Sequence, residues 1–445
     1  MSYASPMATT EVNTDFERRS LWSATMAPLP GRSGRPLPDT ADVVVIGGGY
    51  TGINAARELA RRGVAVTLLE ARTLGWGAST RNGGIVHAGY KWGPTELVER
   101  YGEETGHALY RETLAGYETV KRLVAEESID CDFRERGHLE LAYAPSHVPG
   151  LAHEHESLAS MGVESTVVPR ERLREEIGTD AYYGALAVPG SALIHPGRYF
   201  AGLAAAADRA GADLHEGVRA RAIRRQADGR FVVETERGAI LARDVFVGTN
   251  AYTDGVVPSL RRRIIPISSY IIATEPLPEE LAAEISPKGR SFFDTKNYLY
   301  YWHISADRRM VFGGRASMLP TSIEHTAEIL HRGLLEVHPQ LAGRRIDYAW
   351  GGNVGFTFDR MPHAGRTKDG VAYAMGCCGT GVALMTQLGT QAGVWLAGGE
   401  PPVLAKLNFP LVPAPYEGRA WFLPFAGEWY RLKDRLAARS RPSDG

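Results

Sequence analysis

A short alternation of strand and helix patterns begins after the first forty residues. Residues 42–46 are an apolar run typical of a buried strand. The helical pattern that follows begins near Tyr50 and ends before Gly63, and residues 64–69 form a second strand that ends at Glu70. This order predicts a compact β-α-β unit.

Strand patterns become more frequent in the middle of the chain. We predict helices over residues 106–127 and from Pro196 to about Ala210, where Gly211 is a stop signal. The early alternation of helix and strand and the later run of strands favour an α/β fold, with a nucleotide-binding domain and a sheet-based substrate domain. The strands predicted in this part are 136–143, 231–234, 245–248, 268–274, 298–304 and 310–312.

The composition is that of a globular protein with a sizeable core. A length of 445 residues with 44% hydrophobic residues favours two domains. The 50 basic and 51 acidic residues give a net charge of −1, which argues against nucleic-acid binding through bulk charge. The only cysteines, Cys131, Cys377 and Cys378, are too few to stabilise a chain of this length by disulfide bonds, so a reducing cytoplasm fits best.

The chain shows no pattern of a membrane protein or of a secreted one. Its N-terminus reaches charged residues before any apolar run, so we do not interpret it as a signal peptide. The uncharged stretch 371–399 is interrupted by glycine, threonine and glutamine, which predicts a buried strand and helix rather than a membrane span. We therefore expect a cytoplasmic protein with no membrane partner. Residues 1–40 are rich in proline and glycine and are interpreted as an extension, with Trp22 as its anchor.

The strongest motif is a glycine fingerprint directly after the first strand. Gly47, Gly49 and Gly52 form G-x-G-x-x-G at the start of the helix, and Glu70 ends the next strand. Gly47 permits a tight turn, Gly49 lets the backbone approach a pyrophosphate, and Gly52 allows close packing of helix and strand. The acid suits ribose hydroxyls and would repel the 2′-phosphate of NADP. This pattern predicts dinucleotide binding, either of FAD or of NAD.

Two further segments decide between these cofactors. The first is ARTLGWGASTRNGG at residues 71–84, and the second is DRMPHAG at residues 359–365, followed by GCCGTG at residues 376–381. With the glycine fingerprint, they resemble the D-amino-acid oxidase-like superfamily of flavoproteins. The matches GYTG, HPGRY, TNAYT and YYWHISADRRMVFGG make the γ-glutamylputrescine oxidase-like branch the most similar. No second glycine fingerprint is present for a separate nicotinamide cofactor.

The resemblance implies a Rossmann-like, discontinuous FAD-binding domain and a mixed-sheet substrate domain. The implied FAD-binding domain comprises residues 41–105, 150–255 and 350–405, and the substrate domain comprises residues 106–149 and 256–349. Residues 1–40 remain an extension and residues 406–445 a C-terminal segment. The cofactor-binding residues implied are Gly47, Gly49, Tyr50, Thr51, Gly52, Glu70, Ala71, Arg72, Gly77, Ala78, Ser79, Arg81, Asn82, Gly83, Gly84, Val218, Thr249, Gly379, Thr380, Gly381 and Val382.

The resemblance also suggests how the flavin is held. Relatives with covalent flavin carry a histidine near position 82 or a cysteine around position 355, where this chain has Asn82 and Gly355. We therefore expect noncovalent FAD. The adjacent pair Cys377 and Cys378 lacks the C-x-x-C spacing of redox pairs, so we interpret it as packing beside the flavin. His195, just before a helix that begins with proline, is interpreted as a capping or packing histidine.

An aromatic strand supplies the candidate catalytic residues. Alternation places Tyr298, Tyr300 and Trp302 on one face, and Leu299, Tyr301 and His303 on the other. By resemblance, Tyr301 and His303 face the flavin, and Arg315 stands nearby on a neighbouring strand. The alternative is a half-buried aromatic sheet face with no catalytic role.

Relatives of the sarcosine oxidase type place a lysine over the flavin to assist the reaction with oxygen. The matching position falls at about Val311 in this chain, so the cation is expected from Arg315 or His303, with Lys296 and Lys91 as the next candidates.

The predicted activity is oxidation of a primary or secondary amine to an imine, with O2 reduced to H2O2. Two alternatives remain open. One is an FAD-binding subunit or dehydrogenase that passes electrons to another acceptor, and the other is an NAD-dependent dehydrogenase. Neither the amine nor the oligomeric state follows from the sequence.

Overall fold

The computed structural model describes residues 15–29, 34–315 and 321–439. Parts of the predicted extension and C-terminal segment, residues 1–14, 30–33 and 440–445, lie outside the described residues. The described helices are α1 Leu21–Thr25, α2 Tyr50–Arg61, α3 Pro94–Tyr101, α4 Glu103–Glu126, α5 Val148–Ser160, α6 Pro196–Arg209, α7 Pro258–Arg261, α8 Glu279–Ile285, α9 Ile323–Val337, α10 Gly381–Leu396 and α11 Leu423–Ala438.

The strands alternate with these helices, which confirms the α/β class. In the described ranges they are β1 Thr40–Ile46, β2 Val66–Glu70, β3 Ile85–His87, β4 Arg134–Glu135, β5 His138–Leu141, β6 Thr166–Pro169, β7 Gly184–Val188, β8 Ser191–Leu193, β9 Asp213–Glu216, β10 Ala220–Arg225, β11 Phe231–Thr235, β12 Gly238–Val247, β13 Ile265–Pro276, β14 Ser291–Asp294, β15 Tyr300–Ile304, β16 Arg309–Gly314, β17 Ile346–Phe356, β18 His363–Arg366 and β19 Ala372–Met375.

The first sheet contains the predicted β-α-β unit. Its order is β10-β11-β12-β1-β2-β9, with β19 parallel to β12 and β18 paired with β19. β1 runs parallel to both β12 and β2. Val43 and Val45 on β1 belong to one buried cluster, whereas Val44 and Ile46 belong to another. Both faces of this sheet are therefore covered, which explains the unbroken apolar run of its central strand.

Glycines on α10 allow that helix to cross α2 at very short range. A Cβ at Gly389 would lie 2.3 Å from the Thr51 carbonyl oxygen, and one at Gly393 would lie 2.6 Å from the Glu58 Cβ. The uncharged stretch 371–399 thus forms the buried strand β19 and the largely buried helix α10, as predicted. The crossing places the N-terminus of α10 beside the first glycine turn.

The second sheet has the strand order β17-β13-β16-β15-β14-β5-β7-β6. Tyr300 and Trp302 on β15 pack with α9 residues such as Leu330, as the predicted alternation requires, and Tyr301 points to the opposite face. β6 and β7 pair in this sheet, although the predicted boundary put residues 150–255 in the FAD-binding domain. β7 pairs with β5, which lies outside residues 150–255, and this pairing places β6 and β7 in the second sheet.

The N-terminal arm is held by Trp22, as the sequence predicts. This residue is 2% exposed, and its Nε1 donates a 2.7 Å hydrogen bond to the Asn82 carbonyl oxygen. Ser20 Oγ donates to the Thr80 carbonyl oxygen at 2.7 Å. None of the described helices is both long and apolar enough to cross a membrane.

The crossing of α2 and α10 generates a stability prediction. Gly389→Ala should lower the free energy of unfolding by about 1–3 kcal/mol, because the added methyl group cannot fit against the Thr51 carbonyl oxygen without moving a helix. Thermal unfolding of the purified protein measures this. Gly150→Ala on α5 is the control, since its Cβ would meet nothing within 4 Å. Equal melting temperatures for the two variants would contradict the tight crossing.

Candidate functional site

The first glycine turn has the geometry that the fingerprint predicts. Gly47 has a φ of +105°, a conformation that side chains disfavour, and its N–H donates to the Leu69 carbonyl oxygen at 2.9 Å. A Cβ at Gly52 would lie 1.8 Å from the Gly47 carbonyl oxygen, so α2 can begin here only with glycine. Gly49 caps α2 without a side chain, and the Tyr50 N–H donates to Ser79 Oγ at 2.9 Å. The turn and helix start form a backbone cradle suited to phosphates.

Glu70 ties this turn to the loop after β2. Its Oε2 accepts a 2.8 Å hydrogen bond from the Gly48 N–H, and its Oε1 accepts one of 2.8 Å from the Arg72 N–H. Burial raises the pKa of the Glu70 carboxyl above its ordinary value, while both backbone bonds oppose the rise. The carboxylate is thus oriented at the strand end, where a ribose would lie.

A cavity of about 480 Å³ extends from this turn to the aromatic strand. Eighteen of the twenty-one predicted cofactor-binding residues line it, including Gly47, Glu70 and Gly379. The exceptions are Gly52, which supports the turn from behind, Gly84 and Thr380. Gly84 has a φ of +72° and packs against the Ile194 carbonyl oxygen. The Thr380 hydroxyl donates to the Cys377 carbonyl oxygen at 3.2 Å.

An arginine–tryptophan–arginine stack lies near the Glu70 end of the cavity. The guanidinium carbons of Arg72 and Arg81 each lie 4.4 Å from the centroid of the Trp76 ring, and all three residues line the cavity. Trp76 was not predicted, although it stands inside the recognised segment 71–84. Two stacked cations beside the path of a pyrophosphate favour an anionic cofactor.

Two cations, Lys91 and Arg315, line the cavity near the aromatic strand. Arg315 donates to the Asn297 carbonyl oxygen at 3.2 Å, and its guanidinium carbon lies 5.0 Å from the centroid of the Phe356 ring. The Nζ of Lys91 lies 3.6 Å from the place where a Cβ of Gly379 would stand. Neither cation forms an ion pair with a carboxylate in the described part of the chain. We call Lys91 and Arg315 the cation pair.

Desolvation affects the ionisation of both cations. Burial lowers the pKa of Lys91, and the nearby Arg315 lowers it further. Burial also lowers the pKa of Arg315. Glu140, whose pKa burial raises to about 7, acts on Lys91 in the opposite direction. The cation pair therefore presents positive charge to the cavity without a carboxylate ion-pair partner in the described part of the chain, which favours an anionic group of a ligand.

Tyr301 lies in the same part of the cavity, as the alternation predicts. Its hydroxyl is 3.0 Å from Ser269 Oγ, and burial raises the pKa of Tyr301 to about 12. The phenol stays protonated at neutral pH and can act as a hydrogen-bond donor. Apolar side chains, including Phe293 and Leu299, complete the lining here.

His303 does not line the cavity, in contrast to the expectation from the sequence. Its Nε2 lies 2.8 Å from the Gly83 carbonyl oxygen, and its ring stacks on Trp22 with a centroid distance of 6.4 Å. Burial lowers the pKa of His303 to about 4, so the ring is neutral near pH 7. The loop at Gly83 and the N-terminal arm cover it, and neither contact is visible in the alternation of the strand.

The remaining candidates lie as follows. Val311 packs with Trp22 and Trp350 in a buried cluster. Lys296 pairs with Asp294 at 3.2 Å and does not line the cavity.

The histidine and the two cysteines have packing contacts. His195 Nδ1 accepts from the Arg198 N–H at 3.1 Å, which confirms it as the cap of α6. Cys377 and Cys378 are buried in the wall of the cavity, and desolvation raises the pKa of Cys378 to about 12. The Cys378 thiol is therefore protonated and a poor nucleophile.

These features together fit a flavin dinucleotide. The cavity is lined by Gly47 and Gly49 of the first glycine turn, and two helix N-termini, those of α2 and α10, border it. A helix N-terminus favours negative charge, which a pyrophosphate carries and a reduced flavin ring develops.

Comparison with known proteins gives the same result. A family model described as "DAO: FAD dependent oxidoreductase" matches residues 42–392. The probable oxidoreductase OrdL of Haemophilus influenzae is 33% identical over 385 residues, which is 85% of this chain and 88% of that protein. The γ-glutamylputrescine oxidoreductase of Escherichia coli is 33% identical over 402 residues, or 89% of this chain and 93% of that protein.

Solved structures share the fold. The L-proline dehydrogenase from P. horikoshii has a TM-score of 0.67 at 22% identity and covers 81% of this chain and 94% of its own. The glycine oxidase from Geobacillus kaustophilus has a TM-score of 0.66 at 20% identity, with 86% and 99% covered. The resemblance inferred from the motifs is thus confirmed, and the chain belongs to the DAO family of FAD-dependent oxidoreductases.

Proposed function

We propose that this protein oxidises a primary or secondary amine to an imine, which water then hydrolyses to a carbonyl compound. The observation that carries the proposal is the cation pair, Lys91 and Arg315, beside Tyr301 in an apolar part of the FAD cavity. The activities of similar proteins support it, since one is a γ-glutamylputrescine oxidoreductase and another a glycine oxidase.

Bound FAD would supply the acceptor for the hydride that leaves the carbon bearing the amine. Its binding is assigned to the predicted residues that line the cavity, with the pyrophosphate at Gly47 and Gly49 and the ribose at Glu70. Attachment is noncovalent in this proposal. A Cβ at Gly355 would lie 2.3 Å from Asn250 Oδ1, so the position that carries cysteine in some relatives has no room for one.

The cation pair has two effects on an amine substrate. Only a neutral amine has the lone pair that assists departure of hydride, and nearby positive charge together with desolvation disfavours the ammonium form. The same charges attract an anionic group elsewhere on the substrate, which Arg315 can bind through two parallel N–H groups. The substrate class that fits best is therefore an amine that also carries a carboxylate.

Tyr301 positions the substrate in this proposal. Its hydroxyl stays protonated and shares a hydrogen bond with Ser269, so it can donate to an acceptor on the substrate. The apolar side chains Phe293, Leu299 and Phe356 exclude water, which protects the imine until it leaves and strengthens the electrostatic interactions.

O2 is the proposed electron acceptor, with Lys91 as the cation that favours negative charge developing on oxygen. Lys91 rather than His303 takes this role, because its Nζ lies beside Gly379 in the cavity wall. Transfer of two electrons and two protons to O2 gives H2O2 and restores the oxidised cofactor.

A substrate screen tests the proposed function. The holoenzyme should release peroxide with at least one amine among polyamines, their γ-glutamyl derivatives, N-methyl amino acids and glycine. Bleaching of the flavin under anaerobic conditions identifies substrates independently of the acceptor. Bleaching without peroxide in air would assign the protein to the dehydrogenases, and no bleaching by any amine would contradict the proposal.

Release of the cofactor tests its attachment. Acid precipitation should leave essentially all FAD in the supernatant, since Asn82 and Gly355 offer no attachment atom. The absorbance of the supernatant and of the washed, redissolved pellet measures the partition. Yellow colour retained by the pellet would show a covalent bond.

The reaction with oxygen should depend on the charge of Lys91. Lys91→Met should slow reoxidation of the reduced enzyme by about tenfold or more, equivalent to about 1.4 kcal/mol of barrier. In the wild type the rate should fall as pH rises through the lowered pKa of Lys91, because the ammonium is present below that pKa and lost above it. Stopped-flow reoxidation over a pH series measures both effects.

Two comparisons make the Lys91 experiment decisive. Lys296→Met is the control, because that lysine is paired with Asp294 and lies outside the cavity wall. Lys91→Arg should retain a rate that does not fall in the same pH range. Reoxidation that is equally fast in Lys91→Met would place the activating charge elsewhere.

A further inference from the structure

The C-terminal helix α11 turns its apolar side chains to solvent. Of the seven large hydrophobic residues that are exposed in the described part of the chain, four lie on this helix. Phe425 is 73% exposed and Trp429 is 56% exposed, and Leu432 and Leu436 follow. Their spacing of four, three and four residues puts them on one stripe of the helix. We call these four residues the α11 stripe.

The face of α11 that contacts its own chain is polar by comparison. Gly427 is the only buried residue of this helix. Asp434 accepts hydrogen bonds from the backbone N–H groups of Asn297 and Tyr298 at 2.9 and 3.0 Å. Arg431 lies over the Tyr298 ring, 5.1 Å from its centroid. Apart from Leu423 at its first position, which packs on a small apolar cluster, the helix is therefore docked by polar contacts, and its apolar stripe is left for another surface.

The α11 stripe is complementary to itself. A two-fold axis between residues 430 and 431 pairs α11 with an antiparallel copy. Phe425 then stands opposite Leu436 of the second copy, and Trp429 stands opposite Leu432 of that copy. This four-three-four spacing is the one that packs two helices along a seam.

The flanking charges fit the same arrangement. Glu428 and Arg435 are exposed, lie seven residues apart and share one side of the stripe. In an antiparallel pair the matching sides of the two helices meet. Glu428 of each copy therefore approaches Arg435 of the other, which gives two complementary contacts by symmetry.

We propose that the α11 stripe is the interface of a homodimer, in which two copies of α11 pack antiparallel about a two-fold axis. In this dimer the apolar stripe of α11 packs against the second copy, while Asp434 on the opposite face holds the helix to its own chain. The helix contacts the segment that precedes β15, because Asp434 accepts from the Asn297 N–H at 2.9 Å and the Asn297 carbonyl oxygen accepts from Arg315 at 3.2 Å. The dimer therefore steadies this contact at the cavity's substrate end.

Solution mass is the direct test. The holoenzyme should have a mass near twice 48.5 kDa by light scattering or sedimentation at about 100 μM. Trp429→Glu and Leu432→Glu should each raise the dissociation constant by about 30-fold or more, since each places a charge in the seam. Each variant should retain the FAD content of the wild type, and its monomer should give an unchanged melting curve. These two results show that the variants fold. Lys368→Glu, an exposed charge change in the turn between β18 and β19, is the control and should stay dimeric.

Charge exchange tests the antiparallel geometry. Glu428→Arg and Arg435→Glu should each weaken the dimer, and the double variant should restore it. A wild type that is monomeric at this concentration would overturn the proposal, as would a dimer insensitive to Trp429→Glu. A monomer that sediments with vesicles of anionic phospholipid would assign the stripe to a membrane surface instead, and would equally overturn it.

Discussion

The close crossing of α2 and α10 is the constraint on which the site depends. Gly389 lets α10 approach the backbone at Thr51, at the start of α2. Residues more than three hundred positions apart in sequence are thereby brought to one cavity, with the first glycine turn on one side and the turn at Gly379 on the other. The N-termini of both helices border the same space, so their positive ends would act together on a bound dinucleotide.

The second constraint is electrostatic. Lys91 and Arg315 line the same cavity and have no carboxylate ion-pair partner in the described ranges, and the charge of Arg315 lowers the pKa of Lys91. Positive charge that lines a cavity without an ion-pair partner points to a ligand that supplies the opposite charge. The proposed requirement for a neutral amine and the proposed preference for an anionic group both rest on this one feature. Tyr301 adds a hydrogen-bond donor without adding charge.

The sequence predicted well what depends on local pattern. The β-α-β unit, the glycine turn, Glu70 and the strand–helix pair in residues 371–399 are each set by short-range periodicity or by backbone conformations that require glycine. The resemblance to the flavoprotein family added residues that are far apart in sequence, and eighteen of the predicted cofactor-binding residues line the cavity.

The predictions that differ from the structure depend on tertiary contacts. His303 follows the alternation of β15, but the loop at Gly83 covers it. Lys91 ranked last among the candidate cations because no periodicity links it to the aromatic strand, and only the fold brings its Nζ beside Gly379. The oligomeric state did not follow from the sequence, because buried and exposed apolar stripes of a helix share the same residue spacing.

The most direct test of the account is anaerobic reduction of the enzyme by a matched pair of amines, one with a carboxylate and the other with a carboxamide in its place. The carboxylate compound should reduce the flavin at a much lower concentration than the carboxamide. Arg315→Ala should remove most of this preference and leave the limiting rate with the carboxamide nearly unchanged. Equal concentration dependence for the two amines in the wild type, or a preference that survives Arg315→Ala, would contradict the central role of the cation pair.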